Sequence, residues 1–272
     1  MKASALLHLG AAASLAAAPR AWPWIAGAVI ADHLVLAGSG LAPRSSWLGP
    51  NLRRLPAGAA ARGSIAVTID DGPDPQVTPR VLERLAEHGA RATFFCIGER
   101  VERFPELAHE IARRGHAVEN HSQRHLRGFP LLPSRSIVAE IAEAQATIAR
   151  VCGSPPGFFR APAGLRSPLL EPQLVRLGLK LASWTRRGFD SVSRSPEAVL
   201  ARLTRGLSAG DILLLHDGGG ARTAFGQPVI LEVLPRLLDA AAEAGLTPVT
   251  LRAACNRIEC RVTAEEPELS VK

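Results

Sequence analysis

Two adjacent carboxylates, Asp70 and Asp71, close the apolar, β-branched run Ser64-Ile65-Ala66-Val67-Thr68-Ile69, and Gly72-Pro73-Asp74-Pro75 then turns the chain away. Acids at the end of a buried strand are costly unless a cation or a donor meets them. An exposed turn could use the same Asp-Gly-Pro, so a second stretch has to decide. Glu119-Asn120-His121-Ser122-Gln123-Arg124-His125 supplies two imidazoles four residues apart. That spacing predicts a helical turn with both rings on one face. Two imidazoles and one carboxylate make a metal site that leaves positions open for water and substrate. Further on, Arg160 follows Phe159, Asp190 follows Gly188-Phe189, and His216 ends the run Leu213-Leu214-Leu215. An imidazole at a strand end, near an acid, suits a proton donor.

These stretches, in this order, resemble the motifs of the polysaccharide deacetylase family, also called the NodB-homology domain or carbohydrate esterase family 4. Thr68–Pro73 resembles the first motif, His121–His125 the second, Phe159–Gly164 the third, Trp184–Asp190 the fourth and Leu213–His216 the fifth. The resemblance covers roughly residues 62 to 252. It implies an incomplete or distorted (β/α) barrel and removal of an N-acyl group, most often acetyl, from an amino sugar. It implies one divalent ion on Asp71, His121 and His125, with zinc first and cobalt, nickel or manganese also suited. By the same resemblance Asp70 is the general base, His216 the general acid, Arg160 steadies Asp70, and Asp190 orients His216. The oxyanion-binding N–H belongs to Ala163, and Leu214 lies beside the substrate. Two positions depart from the family. Ala163 stands where an aromatic is usual, and Ser191 stands where Trp usually follows the acid. The groove therefore differs even where the chemistry matches.

This chemistry suits an amide, a poor electrophile attacked by a poor nucleophile. A bound cation polarises the carbonyl, a carboxylate takes the proton of water, and an imidazolium protonates the leaving amine. Two neighbouring carboxylates repel unless a cation and Arg160 balance them. The same machinery could serve O-deacetylation, or deformylation of a lipid-linked amino sugar. A carbohydrate-binding module that has lost catalysis would lack a ligand, acid or base, and none is missing. A purely structural membrane protein does not explain five ordered motifs.

Composition sets further bounds. The chain has 272 residues and a formal net charge of +7, room for one catalytic domain plus an N-terminal extension. Its arginines are scattered, without the basic run and interleaved aromatics of nucleic-acid binders. The excess charge fits either an arginine-rich background or attraction to an anionic membrane or polymer. The four cysteines form no zinc pattern; Cys96 reads as a buried thiol, and Cys255 could pair with Cys260. Gly-x-Ser-x-Gly is absent, and Asp217-Gly218-Gly219-Gly220 lacks the Lys-Ser/Thr of a phosphate loop, so it reads as a flexible loop beside the site. His33, His88, His109 and His116 read as structural or surface residues.

The elements that must position these groups alternate along the chain. Strands are predicted at 65–69, 92–97, 117–119, 157–160, 179–184, 212–216 and 247–251, about seven parallel strands joined by crossover helices. Helices are predicted from Thr78-Pro79, with Thr78 as N-cap, to Gly89, and at 105–114, 134–151 and 169–177. Two more run from the Ser195 cap to about 207 and over 228–244. Asp70, Asp71, His121, Arg160, Asp190 and His216 all fall at or just after C-terminal strand ends, the face where such barrels carry their sites.

Residues 1–61 are read as an apolar extension and linker, 62–255 as the catalytic domain and 256–272 as a polar tail. Within the extension, 3–18 is short for a span and resembles a signal core, with Ala16-Ala17-Ala18 as a cleavage site. Residues 21–42 carry Trp22, Trp24 and the pair Asp32-His33. Interfacial tryptophans favour a membrane, whereas an interior acid is expensive there. A membrane anchor or short hairpin, a cleaved signal and a soluble apolar arm all remain open. Arg44, Arg53 and Arg54 follow, in a linker to about Arg62 that the barrel is not expected to need. The partner expected is an acylated amino sugar, polymeric or lipid-linked, at a membrane or in the cell envelope.

Overall fold

The computed structural model describes residues 2–256. The polar tail and Cys260 lie outside the described residues, so the Cys255–Cys260 pairing does too. Two apolar helices, α1 (Lys2–Ala17) and α2 (Trp22–Leu41), form a hairpin closed by the 3-10 turn Pro19–Ala21. The short α3 (Ala57–Ala60) leads into β1 (Ser64–Asp70). Then follow α4 (Thr78–Glu87), β2 (Ala92–Cys96), α5 (Gly98–Arg103), α6 (Pro105–Arg113) and β3 (Ala117–Asn120). The middle holds α7 (Ser134–Cys152), β4 (Phe158–Phe159), α8 (Leu170–Arg176), β5 (Lys180–Leu181) and β6 (Arg186–Arg187). The chain continues through α9 (Pro196–Thr204), β7 (Ile212–His216), α10 (Val229–Glu243), β8 (Thr247–Pro248) and α11 (Leu251–Asn256).

The strands pair in parallel in the order β5-β4-β3-β2-β1-β7-β6, with β8 against the start of β1. This is the expected incomplete barrel. Side-chain alternation divides β1 between two cores. Ile65, Val67 and Ile69 face the surrounding helices and pack with Val81, Leu85, Leu234 and Leu237. Ala66 faces the barrel interior with Phe95, Leu214 and Trp184. Thr68 and Asp70 share the phase of Ala66, which brings the carboxylate of Asp70 inside the barrel mouth.

Several expectations change. Thr78 is not the cap of α4: Asp74 Oδ1 accepts from the Gln76 and Val77 amides, while the Thr78 hydroxyl reaches Asp217. The fifth strand is shorter than 179–184, because the Ala182 and Ser183 carbonyls turn inward to accept from Arg160. The two-residue strand β6 then forms beside β7. The last strand stops at Pro248, and Leu251 opens a helix.

The largest change is at the seam. The stretch 42–61 is packed, not a free linker. Leu52 pairs with Ala182, Arg54 bridges Asp211, and the Leu55 amide donates to the Gly210 carbonyl. Residues 52–55 thus lie across the opening between β5 and β7. Leu55 and Ala59 belong to the interior core, and Leu48 is buried. Arg54 pairs with Asp211 at 2.9 Å, and Arg44 donates to the Thr185 carbonyl. These arginines serve the seam, which reduces what they can offer an anionic surface.

The hairpin meets the barrel at one close junction. Gly40 is buried, its carbonyl accepts from the Arg166 amide at 3.2 Å, and a Cβ there would lie 2.2 Å from the Arg166 carbonyl oxygen. Only glycine permits that approach. Within the hairpin Asp32 is not isolated: the Ser4 hydroxyl donates to it, and the His8 ring lies 3.8 Å away.

Candidate active site

Asp71 follows the end of β1 in a left-handed conformation (φ 72°), which turns its carboxylate into the mouth beside that of Asp70. Its Oδ1 lies 3.2 Å from Nε2 of His121 and 3.2 Å from Nε2 of His125. The two imidazoles do not sit on a helical turn. His121 leaves the end of β3, and the chain then passes through two left-handed residues, Ser122 (φ 63°) and His125 (φ 50°). Asn120 Oδ1 accepts from the Ser122 amide, and the Ser122 hydroxyl accepts from the His125 amide. Asn120 Nδ2 in turn donates to the Ile141 carbonyl, tying this loop to α7.

The donor set fits a divalent cation. His121 Nδ1 donates to the Arg160 carbonyl at 2.8 Å, which orients the ring so that Nε2 faces Asp71. Asp71 Oδ1 is buried and has no hydrogen-bond partner. A carboxylate oxygen 3.2 Å from two imidazole nitrogens calls for a positive charge among them, which a proton on His121 or a bound cation would supply. Burial alone would raise the Asp71 pKa, but the His121 contact and the charges of His121, His125 and His216 hold it far below the usual carboxylate range. Burial lowers the His125 pKa and the charge of His121 adds to this, which favours the neutral, metal-ligating ring.

Asp70 is 3 % exposed and paired with Arg160, Nη1 to Oδ1 at 2.6 Å. Arg160 is itself 1 % exposed, and every group around it is a partner: Thr68 Oγ1, the Ala182 and Ser183 carbonyls, and the ring of Phe95 at 4.1 Å. Opposite, His216 Nδ1 lies 2.9 Å from Asp190 Oδ1, and Asp190 Oδ2 accepts from the His216 amide at 2.7 Å. Burial pulls the His216 pKa down. The Asp190 hydrogen bond and charge, with the charges of Asp70 and Asp71, outweigh it and push the value up to about 9.

A cavity of about 140 Å³ joins these groups. Ala163, left-handed at φ 55°, lines it together with Leu214, Ser191 and Trp184. All ten residues singled out from the sequence as ligands, acid, base, partners or groove residues are brought to this mouth or directly behind it. A larger cleft of about 660 Å³ opens on the seam, lined by Arg44, Arg53 and Arg54. No acid–imidazole pair lines it, whereas the smaller cavity is lined by Asp70, Asp71, His121, His125 and His216.

Four contributors escaped the sequence reading. Thr68 donates to the Leu213 carbonyl and accepts from Arg160; its in-phase position with Asp70 was the available signal. Trp184 and Arg187 wall the cavity. Asp217 is buried, not part of a loose loop. Burial and the charges of Asp71 and Asp74 push its pKa up to about 7 against the Thr78 hydrogen bond. Glycines make room here: a Cβ on Gly72 would lie 2.5 Å from the Asp217 carboxylate, and one on Gly218 would lie 2.3 Å from the Asp71 carbonyl.

A parallel half-barrel carries at its mouth an Asp-His-His cluster that could hold a metal ion, a carboxylate–arginine pair and an imidazole–carboxylate pair. The polysaccharide deacetylase family profile matches residues 57–182. The chain is 37% identical over 172 residues to a chitooligosaccharide deacetylase of Azorhizobium caulinodans, covering 59% of this chain and 79% of the relative. It is 33% identical over 194 residues to a peptidoglycan-N-acetylglucosamine deacetylase of Bacillus cereus, covering 71% and 85%. A family 4 carbohydrate esterase from Streptomyces lividans, solved with acetate, superposes with a TM-score of 0.62 at 29% identity over 68% of this chain and 91% of that one. The chain belongs to the polysaccharide deacetylase family.

Proposed function

We propose that this chain is a divalent-metal-dependent hydrolase that removes the N-acetyl group of an amino sugar in a cell-envelope polymer or glycolipid, working at a membrane surface. The observation that carries the reading is Asp71 Oδ1: buried, without a partner, and equidistant from two imidazole nitrogens. Asp71, His121 and His125 would hold the ion, with zinc favoured by this ligand set. Once bound there, such an ion supplies Lewis acidity to the acyl carbonyl. Every remaining role falls to the chain itself. Asp70 takes the proton of the attacking water, and Arg160 holds that carboxylate in place. The Ala163 N–H donates to the developing oxyanion. Leu214 and Trp184 give the acyl methyl an apolar wall. His216, held as imidazolium by Asp190, delivers a proton to the leaving amine.

The membrane part of the reading is supported by residues 19–41, which are long and apolar enough to cross a bilayer, and by Trp22 and Trp24 exposed at one end of α2. The test is product analysis with the full-length, metal-loaded protein on matched N-acetyl, N-formyl and O-acetyl sugars. Free amine plus acetate is the expected outcome, and Asp71→Ala should lose both tight binding of one ion and hydrolysis. Preferential O-deacetylation or deformylation, or full metal content in Asp71→Ala, would overturn it.

A further inference from the structure

Arg187 carries a charge that the proposed mechanism does not use. It lies in the wall of the catalytic cavity with Asp71, His216 and Ser191. Of the other charged groups there, Arg160 pairs with Asp70 and His216 with Asp190, and Asp71 belongs with the ion that it, His121 and His125 would hold. Arg187 has no ion pair or hydrogen bond among the described residues, and its Nε is buried without a partner. Two aromatic faces hold it instead, Trp184 at 5.4 Å and Phe189 at 5.0 Å from its guanidinium carbon. Such stacking fixes the plane of a guanidinium while leaving its N–H donors free.

A guanidinium partly withdrawn from water without an anion is costly. The cost is recovered when a ligand brings the anion, and a planar fork suits carboxylate or phosphate oxygens. The small residues Ala163 and Ser191 leave space beside it in the same cavity. We propose that Arg187 forms an anion subsite next to the catalytic centre, and that the substrate carries a carboxylate or phosphate on the acylated sugar or its immediate neighbour. This rests on the deacetylase reading above and narrows it to an anionic class of substrate.

The test uses full-length, metal-loaded protein and three matched N-acetylated sugars: one neutral, one with a carboxylate and one with a phosphate. Wild type should favour one anionic sugar in kcat/KM by at least about 10-fold, and the better anion identifies the source. Arg187→Met should lower that advantage by about 10- to 100-fold, the range of a charge-assisted hydrogen bond, chiefly through KM. Arg187→Lys should keep part of it, and raised salt should erode it in wild type. Hydrolysis of the neutral sugar with no anionic advantage, or an advantage unchanged in Arg187→Met, overturns the subsite and leaves the deacetylase reading standing. If none of the three is hydrolysed, the deacetylase reading fails. Calorimetric binding of the anionic sugars then decides the subsite, and equal binding by wild type and a folded Arg187→Lys or Arg187→Met protein overturns it.

Discussion

Helices α2 and α10 are both rich in aliphatic side chains, yet the molecule treats them in opposite ways. Helix α10 buries Val229, Ile230, Val233, Leu234, Leu237 and Leu238 against the sheet. Helix α2 buries only Gly40 and leaves Trp24 85 % exposed and Leu34 68 % exposed. The protein covers the apolar face of α10, whereas α2 meets only α1 and the junction at Gly40. An uncovered apolar face of this kind is the surface on which the proposed membrane contact rests. Cover, not composition, distinguishes the barrel, or body, from the N-terminal helices, or arm, and residues 52–55 pack with the barrel.

The sharpest break between body and arm should appear in catalysis. Asp70→Asn and His216→Ala should each lower kcat by roughly 10²–10⁴ while retaining the metal. Substitutions confined to the arm's exposed face should leave turnover of a small soluble substrate near wild type. Steady-state kinetics on an N-acetyl sugar checks this, and near-normal kcat in both site variants would remove the mechanism.

Stability should locate the boundary. A protein starting at residue 62 loses the buried Leu48 and Leu55 and the Leu52–Ala182 pairing. At about 1.5–3 kcal/mol for each fully buried leucine, it should be destabilised by several kcal/mol. A protein starting at residue 42 keeps all of these and should unfold at nearly the full-length midpoint in denaturant. Equal midpoints for the two truncations would restore the view of 42–61 as a tether.

The smallest expected effect is a pH shift within the body. The His216 pKa is raised from 6.5 to about 9, so the imidazolium form persists at neutral pH. Activity that needs this acid should fall as pH rises through about 9. The stabilisation from the His216–Asp190 pair is complete below about 6.5 and is likewise lost as pH rises through about 9. Asp190→Asn should move the alkaline limb down by roughly 1–3 pH units. An unmoved limb in kcat/KM profiles would assign that titration to another group.

Much of this arrangement was legible in the sequence because it is written in short-range patterns. Strand alternation places Asp70 inward, and strand ends place His121, Arg160 and His216 at one mouth. What was not legible depends on partners far along the chain. The His121–His125 spacing suits a helix equally well, and bonds of the Asn120 and Ser122 side chains, one of them to α7, favour the loop. Residues 52–55 carry no strand-like run, and their pairing exists because the sheet leaves an opening of their width. In the sequence Arg187 is one arginine among many; two aromatic rings, and a side chain without an ion-pair partner among the described residues, set it apart.

The seam has a consequence for the order of assembly. The Thr185 hydroxyl bonds the Arg53 carbonyl across 132 residues of sequence, and Arg54 bonds the Ala209 carbonyl across 155. Contacts this distant close late, because the entropy of joining the ends must be met before they contribute. During synthesis residues 52–55 emerge early, yet their partners on β5 and β7 are among the later parts made. The barrel is thus locked by one of its first-made segments, which must wait unpaired while most of the sheet is built around the place it will fill.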